Sequence, residues 1–173
     1  MPLSSRAGGA SRWRSFRGVG RPVGGVAIGV GVAIALCAAV GMVWDWLAPD
    51  PDLPQGGGFS CLAAAAASVV FGILIYRWGR TADAESLSRR EALLAVALIW
   101  FGAGACGALP FIFGADLSPA DAFFESVSGM TTTGATVITD IEDRLSRPLL
   151  LWRSMSQWLG GMGIVVLFVA VFP

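Results

Sequence analysis

The residues Ser118-Pro-Ala-Asp-Ala-Phe-Phe-Glu-Ser-Val-Ser-Gly-Met-Thr-Thr-Thr-Gly-Ala-Thr136 decide how this chain folds. They open a stretch, Asp116–Pro148, that is too long for a hairpin loop and too apolar for a solvated one. Ser118 is a good N-cap, Pro119 suits the first helical position, and Asp121 stands where a capping-box acid would. Phe123, Phe124 and Val127 recur at helical spacing on one face. The predicted half-helix, 118–130, is about 18 Å long, around half the hydrocarbon thickness of a bilayer. It stops at Gly129, because three threonines and a glycine make a poor helix. Non-helical backbone at membrane depth is tolerated only where protein buries it or where it lines a wet cavity.

The flanks give this segment its setting. Four uncharged runs are long enough to cross a bilayer: Val23–Val43, Phe59–Tyr76, Ala92–Ala115 and Ser154–Pro173. The whole chain has 173 residues, 55% hydrophobic and only 14% charged, with a mean hydropathy of +0.68. An ordinary soluble domain carries about 25% charged residues, so a membrane protein is expected. A signal peptide is the rival reading of the first run. Its apolar length exceeds the usual h-region, and Trp44-Asp-Trp46 follows in place of a cleavage site.

Twelve basic residues, all Arg, balance twelve acids. They sit at chain ends and loops, without the basic and aromatic surface of a nucleic-acid binder. No nucleic-acid partner is expected. Arg6, Arg12, Arg14, Arg17 and Arg21 precede the first run, and Arg77, Arg80, Arg89 and Arg90 lie between the second and third. Asp45, Asp50 and Asp52 occupy the loop between the first and second. The positive-inside rule then places the N-terminus in the cytoplasm of a multi-pass protein of the cell inner (plasma) membrane. Arg144, Arg147 and Arg153 fall on the wrong side, beside Asp140, Glu142 and Asp143. Trp44, Trp46, Trp78 and Trp152 are read as interfacial anchors, and residues 1–21 as a disordered basic segment meeting anionic headgroups.

Several chemistries are excluded. The absence of histidine removes imidazole bases, His triads and ordinary zinc sites. Cys37, Cys61 and Cys106 lie far apart in apolar runs and are read as small buried hydrophobes. Asp121 and Glu125 share a helical face, but no nucleophile, base or metal set accompanies them, so no enzyme is expected. Gly25 and Gly29 form a GxxxG, read as a close helix contact.

What the decisive stretch can do is hold a cation. A half-helix with its C-terminus turned inward aims its negative dipole end at the membrane centre. Backbone carbonyls and Thr hydroxyls supply oxygens that replace an ion's water shell, and Gly134 permits backbone angles closed to other residues. A Ser/Thr-rich outer loop after a short surface helix is the plainer alternative. Glu125 reads as a structural carboxylate bonded to backbone amides, or else as a cation-attracting group. Asp116 and Asp121 read as parts of a negative outer vestibule.

Phe123 to Thr136, followed by Leu151-Trp-Arg-Ser-Met-Ser-Gln-Trp-Leu-Gly-Gly-Met-Gly163, resembles the first pore repeat of Trk/Ktr-type potassium uptake proteins. The match runs over residues 90–173, and the helix pair before it resembles the extra N-terminal pair of the TrkH branch. The resemblance implies an all-α integral membrane fold: two N-terminal transmembrane helices, then one helix–re-entrant pore loop–helix repeat. The domains expected are 1–21, a helix pair in 22–90, and a repeat in 91–173. Within the repeat come a helix at 92–115, a half-helix at 118–130, a filter at 131–136 and a helix at 149–173. It further implies that Thr132, Thr133 and Gly134, completed by Ala135 and Thr136, form one quarter of a selectivity filter for potassium, the transported ion. Glu125 then supports the pore helix. Implied partners are the lipid bilayer, further repeats or identical subunits, and a cytoplasmic nucleotide-binding Trk/Ktr regulatory ring. The family carries four repeats and this sequence one, so a truncated or split product, or a subunit that assembles, is expected. The alternative is a four-helix piece acting only as assembly partner of a longer chain.

Overall fold

The computed structural model describes residues 7–80 and 88–171. Among them every regular element is a helix: α1 (Ala7–Leu47), α2 (Gly57–Gly79), α3 (Arg89–Gly114), α4 (Pro119–Met130), the single turn α5 (Ile141–Arg144) and α6 (Arg147–Val171). Three helices are long and apolar enough to cross a membrane, Gly18–Leu47, Gly57–Gly79 and Arg90–Gly114. The fourth expected run coincides with α6, whose following residues 172–173 lie outside the described ones.

Helix ends fall where polar residues put them, outside the apolar runs that announce the helices. α1 starts at Ala7, so residues 7–21, expected to be disordered, are helical, whereas 1–6 lie outside the described residues. Arginine and alanine are good helix formers, and an apolar run marks where lipid can begin, which is a different boundary. α3 begins before Ala92 because Ser88 and Glu91 make a reciprocal capping box: Ser88 N–H donates to Glu91 Oε2 at 2.8 Å, and Glu91 N–H to Ser88 Oγ at 3.4 Å.

Small residues let these helices approach. α1 lies along α2, and a Cβ on Gly24 would sit 2.5 Å from Tyr76 N, one on Gly31 2.7 Å from Val69 Cγ2. Gly25 and Gly29, expected to make this contact, have open space where a side chain would stand. The contact face is one residue off the GxxxG, because Gly20, Gly24 and Gly31 share the stripe that faces α2. The core runs through Ile34, Cys37, Ala38, Cys61, Ala64, Phe111, Leu149 and Trp152. The three cysteines are buried and free. Large apolar side chains such as Leu36, Val43, Leu74, Phe101 and Val166 face outward, the inversion a lipid-facing surface requires.

Trp152 corrects an expectation: it is 0% exposed and donates its indole N–H to the Gly107 carbonyl at 3.0 Å, so it is a packing residue of the core. Trp44 and Trp46 are exposed at the end of α1. The start of α6 is wedged against that same end, where Pro148 contacts Gly41 and Arg147 pairs with Asp45 at 3.3 Å and Asp50 at 3.6 Å. Arg147 also donates to the Ala48 carbonyl just past the α1 C-terminus and, at 3.5 Å, to the Trp44 carbonyl, which already accepts the Ala48 N–H.

Candidate functional site

α4 is held upright by its own ends. Ser118 Oγ accepts from Asp121 N–H at 3.2 Å and donates to Asp121 Oδ2 at 2.7 Å. Asp121 thus engages the cap hydroxyl, where a standard capping box would have it reach the cap N–H. The helix sinks between α3 and α6 through glycines on both. Gly104 faces Phe123 and Val127, and Gly107 faces Ser126 and Met130. On α6, a Cβ at Gly160 would fall 1.8 Å from the Met130 carbonyl oxygen. Phe101 and Phe123 add a tilted ring contact with centroids 5.4 Å apart.

At Met130 the chain leaves the helix and turns back along it. Thr131 N–H still reaches Val127 O at 2.8 Å, and Thr132 N–H reaches Gly129 O at 2.9 Å. Thr133 and Gly134 both donate to Ser128 O, at 3.0 and 3.4 Å. The last carbonyls of α4, orphans in an isolated helix, are therefore closed by the segment that follows. Thr132 at φ 58° and Gly134 at φ 75° make the turn possible. For a β-branched residue such as Thr132 that conformation stores about 1–3 kcal/mol, and it persists only because the surroundings fix it.

Farther on, the returning segment is pinned to successive turns of α4. Ser128 Oγ donates to the Ala135 carbonyl at 2.6 Å. One turn up, Glu125 takes the Thr136 hydroxyl and the Val137 N–H (2.7 Å) on Oε1. Its Oε2 accepts from Arg153 Nε of α6 at 3.4 Å. Glu125 is 2% exposed, and a buried carboxylate is tolerated only with such partners. One side chain thereby ties together α4, the returning segment and α6.

The outcome for the expected site residues is specific. Thr132, Thr133, Gly134, Ala135 and Thr136 form one continuous exposed run. Among the described residues, the carbonyls of Thr132, Thr133 and Gly134 accept no hydrogen bond. Asp116, exposed and at φ 52°, and Asp121 lie at the far end of α4 from Met130. Among the described residues no group of three or more His, Cys, Asp or Glu side chains could hold a metal ion. Arg153 and Ser128 escaped the sequence reading, the first because it was counted only as a loop charge. The available signal was an acid well inside one apolar helix, Glu125, and a base a turn and a half into another, Arg153.

Comparison with known proteins gives a consistent picture. A family model described as "TrkH: Cation transport protein" matches residues 67–173. The chain is 49% identical over 98 residues to the Trk system potassium uptake protein TrkH of Escherichia coli K12, covering 56% of this chain and 20% of that protein. It is 35% identical over 143 residues to the Trk system potassium uptake protein TrkI of Halomonas elongata, covering 82% and 28%. The crystal structure of the potassium transporter TrkH from Vibrio parahaemolyticus superposes with a TM-score of 0.76 at 34% identity, over 91% of this chain and 32% of that one. The chain spans about a fifth of the length of the curated TrkH relatives it matches.

Proposed function

The chain belongs to the TrkH family of cation transport proteins, which are not enzymes, and from that premise we propose that α3, α4, the segment 131–137 and α6 make one pore repeat for potassium uptake. In this reading α4 is a re-entrant half-helix and Thr132–Thr136 is a quarter of the selectivity filter. Potassium is the transported cargo, passing from outside to cytoplasm. What supports it most is a single arrangement: a run of exposed backbone in which the Thr132, Thr133 and Gly134 carbonyls are unpaired, pinned by a buried Glu125 to the middle of a twelve-residue helix. Water would serve those carbonyls equally well on an ordinary loop, but an ordinary loop needs no buried carboxylate to hold its shape.

The chemistry of each residue follows. Carbonyl oxygens replace part of the ion's hydration shell, at an energy near enough to water's that the ion can leave again. The C-terminal end of α4 adds the negative end of a helix dipole, which favours a cation within about a turn. Asp116 and Asp121 raise the local cation concentration at the mouth. The remaining sides of the filter come from further repeats or from other subunits, with a cytoplasmic nucleotide-binding ring as regulatory partner. The N-terminus lies in the cytoplasm and the protein in the plasma membrane.

The test is growth. Bacteria that cannot take up potassium are given the gene encoding this sequence and grown at limiting potassium. The proposal expects rescue by the wild type and loss of rescue with Gly134→Ser, at equal amounts of protein in the membrane. Rescue that survives Gly134→Ser contradicts it.

A further inference from the structure

We propose that Ser128 decides which oxygens of this quarter-filter meet the ion, by holding the Ala135 carbonyl against α4 and leaving the carbonyls of Thr132, Thr133 and Gly134 as the cation ligands. The assignment rests on the filter reading above and narrows it, since Ala135 and Thr136 were expected to complete the ligand set.

Ser128 is buried in the last turn of α4 and grips the segment from both of its oxygens. Its carbonyl accepts Thr133 N–H at 3.0 Å and Gly134 N–H at 3.4 Å, which turns these two amides away from the exposed side. Its hydroxyl donates to the Ala135 carbonyl at 2.6 Å. A cation approaches a carbonyl from the side where its lone pairs point. At Ala135 the positive end of an O–H dipole already stands there, and a cation beside it is repelled. The Thr136 hydroxyl is likewise committed, donating to Glu125. The three preceding carbonyls carry no such donor. The quarter therefore offers a short ladder of ligands, ending where Ser128 takes hold.

The hydroxyl also fixes the segment in place. Selective coordination needs oxygens that do not close further around a smaller ion, and a segment released at Ala135 can close. Loss of the Ser128 hydroxyl thus admits sodium more readily.

The experiment is rubidium uptake by transport-deficient cells carrying the intact gene product, with sodium as competitor and membrane protein matched by immunoblot. Ser128→Ala is expected to make sodium about fivefold more effective as a competitor, the scale of one lost hydrogen bond. Ser128→Cys keeps the shape but has only a weak S–H donor, and should give a smaller shift in the same direction; it carries the test if Ser128→Ala fails to reach the membrane. Sodium competition that is unchanged or weaker in these variants, while Gly134→Ser alters uptake, overturns the Ser128 assignment and leaves the filter standing. Wild-type uptake that ignores Gly134→Ser overturns the filter reading, and this assignment with it.

Discussion

Gly134 has room for a side chain and no conformation for one. Nothing lies within 4 Å of where its Cβ would stand, yet its φ of 75° belongs to the left-handed region. Any L residue there costs about 1–2 kcal/mol. Gly134→Ser should therefore leave the protein folded and inserted, with melting lowered by no more than that strain, while uptake fails because the backbone has turned. A variant that loses melting temperature as heavily as a core cavity would show instead that a packing role had been overlooked. Glu125 and Arg153 carry a second prediction at this scale. Their carboxylate–guanidinium contact is 3.4 Å long, with side chains 1% and 19% exposed. Arg153→Gln strands a buried carboxylate and should destabilise the protein by about 3 kcal/mol in thermal melts. Glu125→Gln combined with Arg153→Gln should cost less than Arg153→Gln alone, because no charge is left unpaired. Equal losses would mean the two residues are not coupled. Sequence had made Glu125 conspicuous, as an acid among Phe123, Phe124 and Val127, but its partner lies 28 positions away on another helix. No local pattern links them. Only the glycine contacts that seat α4 against α6 bring them together.

Elements meet through backbone, and glycine position decides how closely. Gly160 and Gly24 face backbone atoms at distances no Cβ can share, 1.8 Å to Met130 O and 2.5 Å to Tyr76 N. Gly160→Ala should force α6 away from α4 and destabilise by about 1–3 kcal/mol, and Gly24→Ala should do the same between α1 and α2. Gly25→Ala enters open space and should be neutral or stabilising by up to about 1 kcal/mol, since alanine is the better helix former. Thermal melts of the three variants in one detergent rank them directly, and a Gly25→Ala penalty matching that of Gly24→Ala would refute the assigned face. The GxxxG pattern at Gly25 and Gly29 shows why sequence misplaced this contact. Spacing finds a stripe of small residues, but α1 carries glycine at 8, 9, 18, 20, 24, 25, 29, 31 and 41, and several stripes satisfy the same rule. Helix ends were misjudged for a related reason. The capping box of Ser88 and Glu91 and the arginines of α1 are polar, and apolar runs do not register them. The bounds of α4 were legible to within a residue, because Ser118, Pro119 and Gly129 are local signals with local causes.

For the whole molecule, the charge arithmetic resolves once ion pairs are removed from it. Two of the three arginines that offend the positive-inside rule are committed inside the fold, Arg147 to Asp45 and Asp50 and Arg153 to Glu125. What remains is a basic N-terminal segment and a basic link between α2 and α3. A phosphatase reporter that works only outside the cytoplasm should be active when fused after Asp52 and inactive when fused after Arg80. The reverse pattern would invert the orientation of every element, α4 included. The decisive property, though, is the exposed run that α4 presents. A Thr133→Cys variant of the intact gene product, labelled from outside by a small cationic thiol reagent, reports whether an ion occupies that run, since the native cysteines are buried. The account predicts rapid labelling that potassium slows far more effectively than sodium at equal concentration; labelling indifferent to potassium would contradict it.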